Sequence, residues 1–168
     1  MAGAKVASHE RFVGNGSQAA LFGRCVPVTA LLDRPLVPIA GPDDAAETYE
    51  GLRSYLLETA ADTLVVHVIE KAGGAPDKAG LEQREEYADD AFAAFRNRAA
   101  TDGIDVETRL CYGTDVAETV VDVADEEEAT AIVFSSRGGG RWLDALSGGV
   151  RSSLVTESDR PVVVLPGG

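Results

Sequence analysis

The 168-residue sequence contains few of the residues that build disulfide frameworks, metal centres or membrane spans. Its two cysteines, Cys25 and Cys111, lie far apart and form no CxxC pair, so neither a disulfide framework nor a zinc site is indicated. Charges, prolines and glycines interrupt every apolar run well before the roughly 20 residues of a membrane-spanning helix. We therefore predict a cytoplasmic protein with one main globular domain and no membrane association.

Lysine is also scarce, because only Lys5, Lys71 and Lys78 accompany the arginines among 15 basic residues. With 28 acidic residues the net charge is -13, so the protein should repel nucleic acid. An acidic, lysine-poor composition is typical of proteins from a high-salt cytoplasm, where salt screens the self-repulsion. We expect a halophilic, archaeal source; a merely acidic mesophilic protein is the alternative.

Histidine is nearly absent, and His9 and His67 leave few candidate bases for catalysis. Because His67 lies within the apolar run "VVHVI", we predict a packed, hydrogen-bonded side chain rather than a metal ligand. No catalytic residue and no metal site is predicted, so the protein is expected not to be an enzyme. A slow nucleotide hydrolase or a small electron-transfer domain remains the alternative.

Residues 1–32 differ from the rest of the chain, since they carry a positive balance of charge and no clear periodicity. We predict a poorly structured N-terminal extension over residues 1–32 and a domain over residues 33–168. A true start near Asp33 is a second interpretation of the same pattern.

From Arg34 onward, apolar runs alternate with helical patterns. The first helix is predicted to open with Asp44 as its N-cap, and the second to bury Tyr87 on one face with Phe95. The acidic run at 125–128, which ends the third helix, is interpreted as a solvated surface. The predicted strands are "PLVPIAG", "TLVVHVIE", "IDVETRLC", "TAIVF" and "RPVVVLPGG".

This alternation predicts an α/β fold: a single doubly wound, open sheet of five parallel strands with four helices. Ligands of such sheets bind beyond the carboxyl ends of the strands, at the point where the strand order reverses. The loops after the first, second and fourth strands are therefore the places to look for a site.

The loop after the fourth strand is rich in glycine and reads "SSRGGGRWLDALSGGV" over residues 135–150. Glycines that lead from a strand into a helix expose backbone N–H groups to an anion, so the loop could hold a phosphate. It is not a Walker A loop, because the sequence contains no GxxxxGK[ST]. A flexible connection whose arginines pair with surface acids is the alternative.

The segments "DRPLVPIAGPDDA", "VVHVIE" and "AIVFSSRGGGRWLDALSGGVRSSLVTESDRPVVVLP" resemble the universal stress protein family over Asp33 to Pro166. The resemblance implies a Rossmann-like sheet of the adenine nucleotide alpha hydrolase type, and a stress-linked binding protein rather than an enzyme. It implies a nucleotide site built on the motif G-x2-G-x9-G-[ST], with ATP or another adenine nucleotide as ligand. The candidate nucleotide-binding residues are Ala40, Val68, Ser135, Ser136, Arg137, Gly138, Gly148 and Gly149.

The sequence departs from the family motif at three of these positions. Ser135 stands where the first glycine is expected, Gly149 where a serine or threonine is expected, and Ala40 where ATP-binding members carry an acid. We therefore predict a degenerate site with weak or no ATP binding; an ATP- or AMP-binding sensor that regulates protein partners is the alternative.

The family usually dimerises through its last strand, which is also expected here because an apolar edge strand favours pairing. The residues predicted at this homodimer edge are Val162, Val163, Val164 and Leu165.

Overall fold

Five strands and four helices alternate along the part of the chain that the structure, a computed structural model, describes: residues 31–71, 78–135 and 149–166. The elements are β1 (Pro35–Pro38), α1 (Pro42–Thr59), β2 (Thr63–Glu70), α2 (Lys78–Thr101), β3 (Val106–Gly113), α3 (Val116–Glu126), β4 (Ala131–Ser135), α4 (Gly149–Glu157) and β5 (Val162–Leu165). The predicted alternation is confirmed. Of the predicted N-terminal extension, residues 1–30 lie outside the described residues, whereas Leu31 and Leu32 pack half-buried against the domain.

All strand pairs are parallel, and the sheet order is β3-β2-β1-β4-β5. The chain builds outward from β1 on one side, then returns to add β4 and β5 on the other. The strand order thus reverses between β1 and β4, and a ligand site is expected at the carboxyl ends of these two strands.

The sheet is covered on both faces, as its buried central strands require. Alternate strand residues, including Val37, Val65 and Val133, pack with α1 and α2 into one core. The intervening residues, including Leu36 and Ile132, pack with α3 and α4 into a second core. None of the helices in the described ranges is long and apolar enough to cross a bilayer.

Helix α1 begins earlier than predicted, with Gly41 as its N-cap and Pro42 at its first position. The prediction that Asp44 is the N-cap is therefore wrong. Proline suits the first helical position, because its fixed φ is already helical and its missing N–H has no partner there. Asp44 lies in the first turn, where its Oδ2 accepts a hydrogen bond of 2.9 Å from the Ala40 N–H.

At the opposite end of the sheet, the acids that end α3 stay largely exposed, as predicted, but they also pair with arginines. Glu127 accepts hydrogen bonds from Arg34 at 3.0 Å and from Arg109 at 2.8 Å, while Asp125 binds Arg160 at 3.0 Å. Arg34 Nε also donates to the Glu127 carbonyl at 2.8 Å. The cations satisfy the helix C-terminus and offset the unfavourable placement of acids there.

Candidate functional site

Two of the predicted site residues, Ala40 and Val68, lie at one level at the carboxyl end of the sheet, and Ser135 lies one residue below them. Pro38 pairs with Val66, so Ala40 and Val68, each two residues further on, stand side by side. Leu36 pairs with Ile132, so Ser135 stands level with Ile39. The fold therefore brings Ala40, Val68 and Ser135 together at the point where the strand order reverses.

These three residues are buried, and we refer to them as the floor of the candidate site. Ala40 is 8% exposed, and Val68 and Ser135 are similarly buried. A methyl group thus stands where an acid was expected from the family pattern.

Asp44 lies four residues after Ala40, in the first turn of α1. Its carboxylate turns back to the Ala40 N–H, so it is engaged with the backbone just beyond β1. Burial raises the pKa of Asp44, opposed by the hydrogen bond from Ala40. The sequence pattern predicted Asp44 as a helix cap, and only the structure shows that its carboxylate binds the Ala40 N–H just after β1.

His67 is packed and hydrogen-bonded, as predicted. Its Nδ1 lies 2.9 Å from the carbonyl oxygen of Ile39, which can only accept, so we assign the proton to Nδ1. Burial lowers the pKa of the imidazole, which favours the neutral ring. His67 therefore fixes the segment after β1 to strand β2 without adding charge to the site.

Tyr87 of α2 lies over this same segment. A Cβ added at Gly41 would overlap the Tyr87 hydroxyl and lie 2.8 Å from ring atom Cζ, so the ring rests directly on the Gly41 backbone. Tyr87 is 52% exposed, so the prediction that it is buried beside Phe95 is only partly right. The helical face predicted for Tyr87 is correct. Tyr87 lies beside Gly41, beyond the end of β1, and its neighbour on the sheet is His67 of β2.

Of the glycine loop over residues 135–150, the structure describes only the two ends: Ser135, and Gly149 with Val150. Ser136, Arg137, Gly138 and Gly148 lie outside the described residues, as do the other loop positions in 136–148. Gly149, the first residue of α4, is exposed, and a Cβ there would meet no described residue within 4 Å. No packing among the described residues therefore requires a glycine at position 149.

Other chemistry is not assembled in the described ranges. No group of three His, Cys, Asp or Glu side chains suited to a metal ion occurs among these residues. Cys111, paired with Val68 across β2 and β3, is buried, and burial raises the pKa of its thiol. As predicted, it serves as a small apolar residue.

Comparisons with known proteins agree with this architecture. The family model described as "Universal stress protein family" matches residues 33–166. A search among curated proteins gave no match.

Solved structures of similar fold include a universal stress protein from Archaeoglobus fulgidus in complex with dAMP, with 19% identity and a TM-score of 0.58, covering 79% of this chain and 96% of that one. The universal stress protein UspA from Lactobacillus plantarum has 23% identity and a TM-score of 0.61, covering 80% and 97%. A universal stress protein in complex with cAMP has 20% identity and a TM-score of 0.52, covering 82% and 98%.

Proposed function

The chain belongs to the universal stress protein family, and we propose that it is a non-catalytic, dimeric stress-response protein whose nucleotide site is degenerate, with weak or no ATP binding. Two proteins of similar fold are described in complex with dAMP and cAMP, which supports an adenine nucleotide as the ligand to test. The fold alone does not decide between binding and turnover.

The observation that carries the proposal is the buried methyl group of Ala40 at the carboxyl end of β1. In this position a carboxylate would face a bound base, whereas a methyl group offers no hydrogen bond. The nearby Asp44 carboxylate is occupied by the Ala40 N–H. Gly149 likewise lacks the hydroxyl that a serine would present at the start of α4.

The expected loss of affinity follows from these two missing groups. A hydrogen bond to a ligand contributes about 1–3 kcal/mol when its partner would otherwise be left unsatisfied. Two such losses would weaken ATP binding by roughly 30- to 10⁴-fold if they add. Backbone N–H groups of the glycine loop need no side chains, so recognition of the phosphate should survive better than recognition of the base.

The test is an ATP titration of the protein purified in concentrated KCl without added nucleotide, after mass spectrometry of any small molecule released on denaturation. We expect an empty protein that binds ATP at millimolar strength or not at all. The double variant Ala40→Asp with Gly149→Ser should bind more tightly, by roughly 30- to 10⁴-fold if both contacts are restored.

A matched control for this gain is the double variant Ala40→Asn with Gly149→Ala, which adds similar volume without the carboxylate or the hydroxyl. Stoichiometric co-purified nucleotide, or micromolar ATP binding by the unmodified protein, would overturn the degenerate site. The protein would then be a nucleotide sensor.

Dimerisation through β5 is supported by a comparison of the two edges of the sheet. On β5, Val164 is 48% exposed, with half-buried valines before it. On the β3 edge, Glu107 and Arg109 carry charge, which discourages pairing between strand edges. The apolar edge is therefore the better surface for a second copy of the chain.

The dimer proposal is tested by sedimentation of Val164→Lys, which places a charge on the β5 edge and should give a monomer. Leu57→Lys is the matched control, because Leu57 of α1 is also an exposed apolar residue, at 51%, but lies away from the edge. A Val164→Lys variant that remains dimeric would exclude this interface.

A further inference from the structure

The ring of Tyr87 offers a recognition group at the candidate site that the family pattern does not supply. Tyr87 shares its face of the sheet with His67 and with two other α2 aromatics, Phe92 and Phe95, and all three are buried. Tyr87 alone of these α2 aromatics stays more than half exposed. Its hydroxyl end lies beside Gly41 in the segment that follows β1, where a ligand of this fold class would bind.

The position of the ring is fixed from two sides. Gly41 lets the ring edge approach the backbone, since an added Cβ would lie 2.8 Å from Cζ and 3.0 Å from Cε1 of Tyr87. The φ of Gly41 is -175°, an extended conformation open to any residue, so the glycine is needed here for space and not for its backbone freedom.

On the other side the ring contacts His67, with centroids 6.5 Å apart and planes inclined by 71°. His67 is itself held by the Ile39 carbonyl at 2.9 Å. The ring is thus preorganised relative to the end of β1, and binding would cost little additional ordering of the side chain.

The surroundings favour a planar, neutral group over a charged one. Burial lowers the pKa of the imidazole beside the ring, Gly41 has no side chain, Ala40 presents only a methyl group, and the Asp44 carboxylate is engaged by the Ala40 N–H. An aromatic face in such a setting can stack on a nucleobase, and it does so with little preference among bases because every base has a π-face.

We propose that Tyr87 is the base-stacking residue of this site, so that a nucleotide is held by stacking of its base and is not selected for adenine. The inference rests on the proposed function, since it concerns the same degenerate site. It predicts that AMP and GMP bind with similar, weak affinity, within about threefold of each other. Ribose 5-phosphate, which has no base, should bind more weakly than either.

The experiment is equilibrium dialysis of the full chain with AMP, GMP and ribose 5-phosphate at millimolar concentrations. Tyr87→Ala should weaken AMP and GMP binding by about 5- to 150-fold, the range found for loss of one stacked base, and should leave ribose 5-phosphate unchanged. Tyr87→Phe keeps the ring and should bind like the unmodified protein. Tyr55→Ala is the matched control, since Tyr55 is a similarly exposed tyrosine, at 46%, in the last part of α1.

Chemical shifts of the Tyr87 ring give a second readout that does not depend on affinity. A stacked base should move the ring signals of Tyr87 and leave those of Tyr55 in place. Circular dichroism of Tyr87→Ala checks that the variant is folded.

Each outcome bears on a different proposal. Unchanged AMP binding in Tyr87→Ala, or absence of any nucleotide binding at millimolar concentration, overturns the stacking role and leaves the degenerate site standing. A strong preference for AMP over GMP also overturns it. Micromolar AMP binding that Tyr87→Ala does not alter overturns both the stacking role and the degenerate site.

Discussion

The two ends of the sheet are built from different chemistry, although the same strands run through both. The amino end is tied by arginines: Arg34 and Arg109 share Glu127, and Arg160 binds Asp125. The carboxyl end is tied by a neutral histidine and a tyrosine that rests on a glycine. A protein of net charge -13 thus uses ion pairs with Arg34, Arg109 and Arg160 at one end, whereas ring packing around Gly41 holds the other.

The difference separates stability from function. Ion pairs hold the end where α3 terminates and where no ligand is expected, because parallel sheets bind ligands at the carboxyl ends. The carboxyl end is held by the hydrogen bond between His67 and the Ile39 carbonyl and by Tyr87, which stays half exposed. Variants at the two ends should therefore differ in how much they change the free energy of unfolding and in the pH range where they change it.

The largest effect on stability is expected at the carboxyl end, from His67→Ala. Loss of a buried ring and of the hydrogen bond to the Ile39 carbonyl should cost about 3 kcal/mol of the free energy of unfolding at pH 7.5. Urea unfolding followed by circular dichroism measures it. Gln83→Ala, at an exposed position of α2, is the control and should change little.

The cost of His67→Ala should shrink as the pH falls. The folded pKa of His67 lies below its usual value, so its contribution is complete above about pH 6.5 and is lost as the pH falls from there. The unmodified protein should therefore lose stability on acidification more steeply than the variant. A constant difference between pH 7.5 and pH 5.5 would show that His67 is protonated equally in both states.

At the amino end, Glu127→Ala should cost about 2 kcal/mol, because it removes charge-assisted hydrogen bonds to both Arg34 and Arg109. Thermal and urea unfolding measure the loss. Glu58→Ala, an exposed α1 acid without an ion pair among the residues described, should leave stability nearly unchanged. Equal losses in the two variants would mean that the ion-pair network adds nothing beyond a surface charge.

A smaller gain is expected at the C-terminal end of α1. Ala60 has φ 50° and ψ 43°, the left-handed conformation that glycine adopts without steric cost. Ala60→Gly should stabilise the protein by about 0.5–1 kcal/mol, whereas Ala100→Gly within α2 should destabilise it by up to about 1 kcal/mol. Opposite signs in the two thermal melts would support the left-handed cap, and a loss in both would contradict it.

The last expected effect is on the pH dependence of stability in acid, and it concerns the Asp102 side chain near the amino end. Hydrogen bonds from Arg53 and Tyr49 lower the pKa of Asp102 to about 2. Because its folded pKa is depressed, Asp102 contributes stability above about pH 4 that is lost as the pH falls toward 2. Asp102→Asn should therefore unfold with a shallower dependence on pH between 4 and 2 than the unmodified protein.

Asp89→Asn, on an exposed part of α2, is the control for Asp102→Asn and should keep the pH dependence of the unmodified protein. Identical acid titrations of all three proteins would show that the hydrogen bonds to Asp102 do not persist in solution.

Much of the fold could be predicted, because the spacing of apolar residues along the chain indicates which segments are strands and which are helices. The apolar runs and helical patterns gave the order of strands and helices, and Val120, Val123 and Leu154 lie buried as their spacing indicated. The start of α1 was predicted wrongly. Asp44 followed three residues later by Glu47 fits the pattern of an N-cap, and this pattern does not reveal that Pro42 already begins the helix.

The candidate site was predicted in part. Ala40, Val68 and Ser135 were named from the resemblance to the family, and the parallel strands bring these positions to the same edge of the sheet. Tyr87 was missed as a site residue, because helical spacing places it on the inward face and says nothing about where the neighbouring strand stops. The short length of β1 could have suggested that a residue level with Gly41 stays exposed.

The sequence by itself determined the α/β alternation, the family, the missing acid at Ala40 and the missing hydroxyl at Gly149, since each is a property of neighbouring residues along the chain. Only the tertiary structure decided that Tyr87 rests on Gly41 and that Glu127 joins Arg34 to Arg109. These contacts join residues far apart in the chain, and their geometry depends on strand order and helix placement. Side-chain type and spacing do not encode that geometry until the sheet has formed.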